Sequence, residues 1–172
     1  DFNISGLENI PKKGSFIVAS NHQSAWETFF FGYLFPGSVY ILKDELKRIP
    51  IFSGYFEKLG FIFVKRDKTF DSLRVVLKSV GRLIKEKKKI FVIFPQGTRL
   101  KPDEYGKINP GVFAIHKFFK IPILPVKLDS GSYWVNKRFS KKSGTINVKI
   151  FPLIKKVSDK EKVISILEKL YY

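Results

Sequence analysis

A histidine and an acid five residues apart, His22 and Glu27, are the side chains whose types and spacing point most directly to chemistry. A carboxylate beside an imidazole raises the basicity of the ring and fixes which nitrogen carries the proton. A histidine held in this way can act as a general base that removes a proton from an alcohol. On one continuous helix two such residues would point about 140° apart, so the pair can meet only where a loop turns into a helix.

The residues around the pair predict such a turn. Residues 15–19 form a short apolar run typical of a buried strand, and residues 28–34 supply the apolar side of a helix. Ser24, with Glu27 three residues later, has the spacing of a capping box, which predicts that the helix starts at Ser24. His22 then lies in the loop and Glu27 in the first turn. A simpler interpretation stays open, in which Glu27 only caps the helix and His22 only bonds to its loop.

Two further apolar runs also end in polar residues suited to an anionic substrate. The residues at these ends are Lys65, Arg66, Gln96, Gly97, Thr98 and Arg99. The guanidinium groups of Arg66 and Arg99 are fixed cations whose forked donors match a phosphate. Gly97 and Thr98 offer close backbone approach, amide donors and a hydroxyl for a phosphate or a developing oxyanion. Taken singly, a strand-end arginine is more often a surface residue or a salt-bridge partner, and a Gly-Thr after a strand is usually a turn.

Strand and helix patterns alternate along the whole chain. Strands are predicted over residues 15–19, 39–42, 61–64, 90–94, 121–126 and 145–151, and residues 1–14 are predicted to be a polar segment with a turn. Helices are predicted from Ser24, over residues 50–59, 71–87 and 110–119, and from a cap at Ser158. This alternation predicts a single α/β domain over residues 1–172, with a mostly parallel mixed sheet flanked by helices. In such sheets ligands bind beyond the carboxyl ends of the strands, where the residues above lie.

The composition narrows the function classes. The chain has 172 residues, of which 44% are hydrophobic, so it can build a real core. It contains no Cys and two His, which excludes disulfides and thiolate sites and argues against zinc, so no metal is expected. Its net charge of +17 predicts an anionic partner: nucleic acid, an anionic lipid surface or a phosphorylated substrate.

No apolar run approaches the roughly 18 residues of a membrane span, and no secretory signal opens the chain. Because the chain lacks Met and begins with Asp1, we expect it to be part of a longer protein with an N-terminal membrane anchor. A basic loop around Phe139, over residues 137–142, is a candidate contact with an anionic membrane, and a solvated loop is the alternative.

Four segments resemble, in order, the motifs of the glycerolipid acyltransferases. Residues 21–27 read Asn-His-Gln-Ser-Ala-Trp-Glu, against Asn-His, four residues and Asp in that family. Residues 60–66 read Gly-Phe-Ile-Phe-Val-Lys-Arg, against Gly-x-x-Phe-Ile-x-Arg. Residues 94–99 read Phe-Pro-Gln-Gly-Thr-Arg, against Phe-Pro-Glu-Gly-Thr-Arg, and residues 121–126 resemble the proline-bounded fourth motif. Two departures stand out: Glu27 replaces the usual Asp, and Gln96 replaces the usual Glu.

The resemblance implies a glycerol-3-phosphate acyltransferase-like fold and a specific reaction. An acyl group would move from acyl-CoA or acyl carrier protein to the sn-2 hydroxyl of lysophosphatidic acid, giving phosphatidic acid without a cofactor. By the same resemblance His22 is the general base and Glu27 orients it. The substrate would be bound by Lys65, Arg66, Gln96, Gly97, Thr98 and Arg99. The enzyme would act at an anionic membrane, on the cytoplasmic face of the bacterial inner membrane, either peripherally or through the expected anchor.

Three alternatives remain at this point. The acceptor can be another lysolipid, such as a lyso-ornithine lipid, because acceptor choice depends on the shape of the groove. The chain can be a basic nucleic-acid-binding module, which explains the charge but not the ordered motifs. It can also be a membrane-binding relative inactivated at Gln96, where the usual charge is lost.

Overall fold

The computed structural model describes residues 1–48, 52–65, 69–135, 139 and 141–172. Its strands are β1 (Phe2–Ser5), β2 (Phe16–Ser20), β3 (Val39–Lys43), β4 (Ile62–Val64), β5 (Ile90–Ile93), β6 (Ile123–Leu128) and β7 (Ile146–Ile150). Its α-helices are α1 (Trp26–Leu34), α2 (Phe52–Lys58), α3 (Thr69–Lys85), α4 (Gly111–Phe119) and α5 (Lys160–Tyr171). Short 3-10 segments cover Leu7–Asn9, Asp44–Arg48 and Ser130–Ser132.

Within this part of the chain the strands form one sheet in the order β1-β7-β6-β2-β5-β3-β4. Every neighbouring pair runs parallel except β6 and β7. The predicted α/β class and mostly parallel mixed sheet are therefore confirmed. Parallel neighbours require crossover connections. Along the chain, helices α1 to α4 connect the consecutive strands from β2 to β6.

The sheet is covered on both faces, which explains why its central strand reads as continuously apolar. Phe16 and Val18 of β2 pack with Phe31 of α1 on one face. Ile17 and Ala19 point to the other face, into a core shared by α3, α4 and α5. Helix α1 therefore lies across the sheet from α3, α4 and α5.

The prediction for residues 1–14 was wrong at its start. Phe2–Ser5 forms an edge strand that pairs in parallel with β7, with Phe2 opposite Ile146. Its sequence Phe-Asn-Ile-Ser alternates apolar and polar residues, but over only four residues, and most of the strand is exposed. An edge strand is held by backbone pairing on one side, which leaves little trace in side-chain type.

Two predicted helix starts also need correction. Helix α1 begins at Trp26, two residues after the predicted Ser24, with Ala25 at the cap position. Helix α5 is capped by Asp159, not Ser158, because the Asp159 carboxylate accepts a hydrogen bond of 3.0 Å from the Lys162 amide. Both errors are one or two residues long, within the range by which helix boundaries shift with cap geometry.

The sheet order brings the first and third motifs together. Strands β2 and β5 are neighbours, with Ala19 opposite Ile93, so the segments that follow them leave the sheet side by side. Strand β4, which carries the second motif, is three strand steps from β2. At about 4.8 Å per step this is roughly 14 Å.

No helix in the described residues is long and apolar enough to cross a membrane.

Candidate active site

The carboxylate of Glu27 is fully buried and receives five hydrogen bonds. Its Oε1 atom accepts from the His22 ring at 2.9 Å and from the backbone amides of Gln23 and Ser24 at 2.6 and 2.8 Å. Its Oε2 atom lies 2.6 Å from the Ser24 hydroxyl and 2.7 Å from the Ser130 hydroxyl. Since every partner can donate, this environment suits an ionised carboxylate.

These contacts decide the protonation of Glu27. Burial alone would raise the pKa of its carboxyl, but the hydrogen bond and charge of His22 and the bonds from Ser24 hold that pKa below its ordinary value. The ionised carboxylate requires a proton on Nδ1 of His22, because only a donor can face Oε1 at 2.9 Å.

The opposite ring nitrogen of His22 is placed to act as the base. In the neutral ring, a proton on Nδ1 leaves the lone pair on Nε2, and none of the residues described supplies Nε2 with a hydrogen-bond partner. The His22 side chain is 15% exposed. No side-chain nitrogen of the described residues is buried without a hydrogen-bond partner, so Nε2 has access to the surface. The arrangement is that of a neutral imidazole oriented by a buried acid, which can accept a proton from a hydroxyl.

In the structure Glu27 both caps the start of the helix and orients His22, so the two interpretations of the Ser24–Glu27 spacing hold together. The Glu27 carboxylate reaches back to the Ser24 amide, as the acid of a capping box does, and the Ser24 hydroxyl accepts from the Trp26 amide at 3.1 Å. The Oε1 atom that bonds to Ser24 is also the one that bonds to His22. Capping and orienting the histidine are therefore done by one carboxylate.

Flanking side chains fix the loop to strand β6 and the segment after it. The Asn21 amide makes two bonds to the backbone of Leu128, donating to its carbonyl at 2.8 Å and accepting from its amide at 2.9 Å. The side-chain carbonyl of Gln23 accepts a hydrogen bond from the Gly131 backbone amide at 3.0 Å. These bonds continue the β2–β6 pairing beyond the sheet, and they bring Ser130 next to Glu27.

The segment after β5 holds His22 from the other side. The Gln96 side chain accepts a hydrogen bond of 2.8 Å from the His22 amide, and the Leu100 amide donates to the His22 carbonyl at 2.9 Å. The Phe94 ring stacks on the imidazole with a centroid distance of 4.0 Å and an interplanar angle of 20°. The first and third motifs thus form one site around His22.

The predicted phosphate-binding residues have different surroundings. Lys65 is exposed just after β4, and Thr98 and Arg99 are exposed beyond β5. Arg66 lies outside the described residues. Gly97 has a positive φ of 69° and its amide donates to the Phe94 carbonyl at 2.9 Å, so Gly97 shapes the turn and its amide is already engaged.

Gln96 was predicted to bind substrate, and the structure places it inside the protein. The side chain is 8% exposed, and both ends of its amide bond to protein atoms. This geometry assigns Gln96 to the ordering of the loops. Direct contact with a substrate stays a prediction.

Three residues around the pair were missed from the sequence: Phe94, Ser130 and Tyr172. Phe94 could have been predicted, because it lies in the third motif. Ser130 and Tyr172 had no signal, because they contact Glu27 and Gln96 from 103 and 76 positions away.

Several known proteins are similar to this chain in sequence. A family model described as Acyltransferase matches residues 1–129. The 1-acyl-sn-glycerol-3-phosphate acyltransferase of Pseudomonas aeruginosa is 34% identical over 151 residues, which are 88% of this chain and 58% of that protein. The enzyme of the same name from Saccharomyces cerevisiae is 31% identical over 142 residues, or 81% of this chain and 46% of that protein. The chain thus spans about half the length of these relatives.

A solved structure agrees with them. The crystal structure of the 1-acyl-sn-glycerophosphate (LPA) acyltransferase PlsC from Thermotoga maritima matches with a TM-score of 0.76 and 28% identity. The match covers 99% of this chain and 68% of that one. With the family model spanning most of its length, the chain belongs to the acyltransferase family.

Proposed function

We propose that the protein transfers an acyl group from a thioester donor to the sn-2 hydroxyl of lysophosphatidic acid. The observation that carries the proposal is the Glu27-bound imidazole of His22, whose Nε2 faces outward with its lone pair. Membership of the acyltransferase family supports the reaction class, and the names of the relatives support the acceptor. The same membership favours acyl transfer over a nucleic-acid-binding role.

In the proposed reaction Nε2 of His22 takes the proton of the sn-2 hydroxyl as the oxygen attacks the thioester carbonyl. The imidazolium that forms is stabilised by the ionised Glu27, 2.9 Å from Nδ1. Collapse of the tetrahedral adduct breaks the carbon–sulfur bond, and the proton on Nε2 passes to the departing thiolate. The products are phosphatidic acid and the free thiol of the carrier. No covalent acyl-enzyme and no cofactor take part.

The acceptor phosphate is assigned to Lys65, Arg66 and Arg99, because Lys65 and Arg99 are exposed cations that follow β4 and β5. The net charge of +17 favours approach of an anionic acceptor, and equally of acyl-CoA or an acidic acyl carrier protein. Thr98, beside Arg99, supplies a hydroxyl at the same strand end.

Arg99→Ala is expected to raise KM for lysophosphatidic acid by about tenfold or more, since a charged hydrogen bond contributes about 1.5–3 kcal/mol. The value of kcat should change less, because the arginine binds a part of the substrate that does not react. Steady-state kinetics with a saturating donor check this. Arg82→Ala is the matched control, since this arginine lies on α3 and pairs with Glu86 at 3.7 Å. An unchanged KM in Arg99→Ala would remove Arg99 from the phosphate site.

An acceptor panel tests the function itself. The protein is assayed with one labelled acyl-CoA and one labelled acyl carrier protein against lysophosphatidic acid, other lysophospholipids and a lyso-ornithine lipid. We expect turnover with lysophosphatidic acid to exceed turnover with each other acceptor. Preference for another lysolipid would keep the mechanism and change the acceptor. Tight, salt-sensitive RNA binding without any acyl transfer would contradict the proposal.

An aromatic patch along α1 is the surface we assign to an anionic lipid bilayer. The patch consists of Phe2, Trp26, Phe29, Phe30, Tyr33 and Trp134. Phe29 and Tyr33 are 67% and 74% exposed. Lys141 lies 5.1 Å from the Trp134 ring, and Lys142, fixed to the Tyr133 carbonyl by its amide, is exposed beside it. Aromatic rings beside lysines suit the headgroup region of an anionic membrane.

Of the basic loop predicted to contact lipid, Phe139 is fully exposed, while residues 137, 138 and 140 lie outside the described residues.

Replacing both Phe29 and Tyr33 by Ser is expected to weaken binding to anionic vesicles by roughly tenfold, because two rings lose their burial in lipid. Sedimentation with phosphatidylcholine vesicles, with and without phosphatidylglycerol, measures the partition coefficient. The control is Phe118→Ser on α4, an equally exposed phenylalanine at 67% that lies across the sheet. Equal losses in the control and the double variant would contradict the assignment.

A further inference from the structure

The hydroxyl of Tyr172, directly after α5, occupies the centre of a small hydrogen-bond network behind the site. It accepts from the Gln96 side chain at 2.6 Å and from the Gly106 amide at 2.7 Å, and it donates to the Gly106 carbonyl at 2.8 Å. Gln96 in turn accepts from the His22 amide. We infer that Tyr172 is a positioning residue for His22, acting through the side chain of Gln96.

The direction of each bond is set by chemistry. The His22 amide can only donate, so the carbonyl end of Gln96 must face it and the NH₂ end must face Tyr172. The Gly106 carbonyl can only accept, so the single proton of the Tyr172 hydroxyl points there. This hydroxyl therefore accepts two bonds and donates one. The network has a single consistent arrangement, which restricts the rotamer of Gln96 and, through it, the backbone of His22.

The arrangement also accounts for glutamine where the family motif has glutamate. A carboxylate at position 96 would still accept from the His22 amide, but its second oxygen would face the lone pairs of the Tyr172 hydroxyl. The hydroxyl could then bond to that oxygen only by withdrawing its proton from the Gly106 carbonyl. Gln96 satisfies His22 and Tyr172 together, so its amide suits this site without any role in the reaction.

Four contacts from the described residues hold His22 in place. Its ring is held by Glu27 and stacked on Phe94, and its backbone is held by Gln96 and Leu100. Releasing Gln96 removes one of the two backbone bonds. A displacement of the base by a fraction of an ångström then slows proton transfer, because the reacting atoms must meet at hydrogen-bond distance.

The first test rests on the proposed acyl transfer. Tyr172→Phe keeps the ring and removes the hydroxyl, and we expect kcat to fall roughly tenfold while KM for acceptor and donor stays within twofold. In a Gln96→Leu background the same change should have no further effect, since the link is already cut. Full additivity of the two changes would overturn the inference, as would a wild-type kcat in Tyr172→Phe.

Tyr171→Phe is the matched control. It removes a buried phenol from the adjacent residue, whose hydroxyl donates to the Ala19 carbonyl at 2.7 Å. We expect it to lower thermal stability and to leave kcat unchanged. If Tyr172→Phe does not fold, Gln96→Leu alone cuts the same link, and a wild-type kcat in that variant would overturn the inference.

A second measurement does not depend on the acceptor. Amide hydrogen exchange followed by NMR reports directly on the backbone amide of His22, which donates a hydrogen bond to the Gln96 side chain. We expect its exchange to be faster in Tyr172→Phe than in Tyr171→Phe. This result supports the positioning role even if the wild-type protein fails to acylate lysophosphatidic acid. Equal exchange in both variants overturns it, whatever the substrate.

Discussion

His22→Ala is expected to lower kcat for acyl transfer by about 10²- to 10⁴-fold, the range typical of a lost general base. The fold should persist, because two backbone amides and two hydroxyls still donate to Glu27 after the ring is gone. Steady-state kinetics and thermal melting, measured on the same preparation, separate loss of the base from loss of the fold.

His22→Asn makes the test sharper. The Asn side chain can donate a hydrogen bond toward Glu27 as Nδ1 does, but it has no basic nitrogen to accept a proton. We therefore expect stability closer to wild type and activity as low as in His22→Ala. The control is His116→Asn, which removes the second histidine from a buried position on α4, 2.7 Å from the Ile121 carbonyl. Near-normal kcat in both His22 variants would contradict the mechanism.

The fold was predictable where burial leaves a regular pattern. Strand β2 is buried along its whole length, and its apolar run of residues 15–19 identifies it without any structure. Helix α3 was placed within two residues at each end because its apolar face repeats at the helical period. Strand β1 was missed because its alternation covers only four residues, most of them exposed at the sheet edge where the strand pairs with β7.

The same distinction divides the site. The contact between His22 and Glu27 spans five residues, so local structure decides it and spacing predicts it. Ser130 reaches Glu27 through the β2–β6 pairing, and Tyr172 reaches Gln96 through the docking of α5 on the sheet. Contacts of this kind depend on the tertiary arrangement of the chain, which no spacing within a single motif encodes.

Both departures from the family motifs have hydrogen-bond partners in the structure, some of them outside the motifs. Glu27 fits in place of aspartate because two serine hydroxyls and two amides surround its carboxylate. Gln96 fits in place of glutamate because Tyr172 needs a donor. Ser130 and Tyr172 lie outside the motifs, so these two contacts cannot be read from the motifs alone.

Glu27→Gln is expected to lower both activity and stability. The amide oxygen should take the position of Oε1, because the Gln23 and Ser24 amides there can only donate, and the NH₂ group should face the hydroxyls of Ser24 and Ser130, which can turn to accept. His22 keeps a neutral acceptor and loses the charge that stabilises its protonated form. We expect kcat to fall roughly 10²- to 10⁴-fold and the free energy of unfolding to fall by about 3 kcal/mol.

The stability loss in Glu27→Gln should depend on pH with a defined sign. The pKa of Glu27 is lower in the folded protein than its ordinary value of 4.5, so the unfolded state binds more protons between the two values. The stabilisation from the carboxylate is therefore complete above about pH 4.5 and is lost as pH falls through the folded pKa. Denaturant unfolding of both proteins between pH 7 and pH 3 should show the difference in unfolding free energy shrinking below pH 4.5. A difference that stays constant with pH would contradict an ionised Glu27.

Glu27→Asp separates the charge of the carboxylate from its reach. Aspartate keeps the charge but is shorter by one methylene, so it cannot hold both the His22 ring and the Ser130 hydroxyl at their present distances of 2.9 and 2.7 Å. Because an ionised partner for the imidazolium remains, we expect kcat to lie at least tenfold above that of Glu27→Gln. Equal kcat values in the two variants would mean that the position of the carboxylate, and not its charge, limits the base.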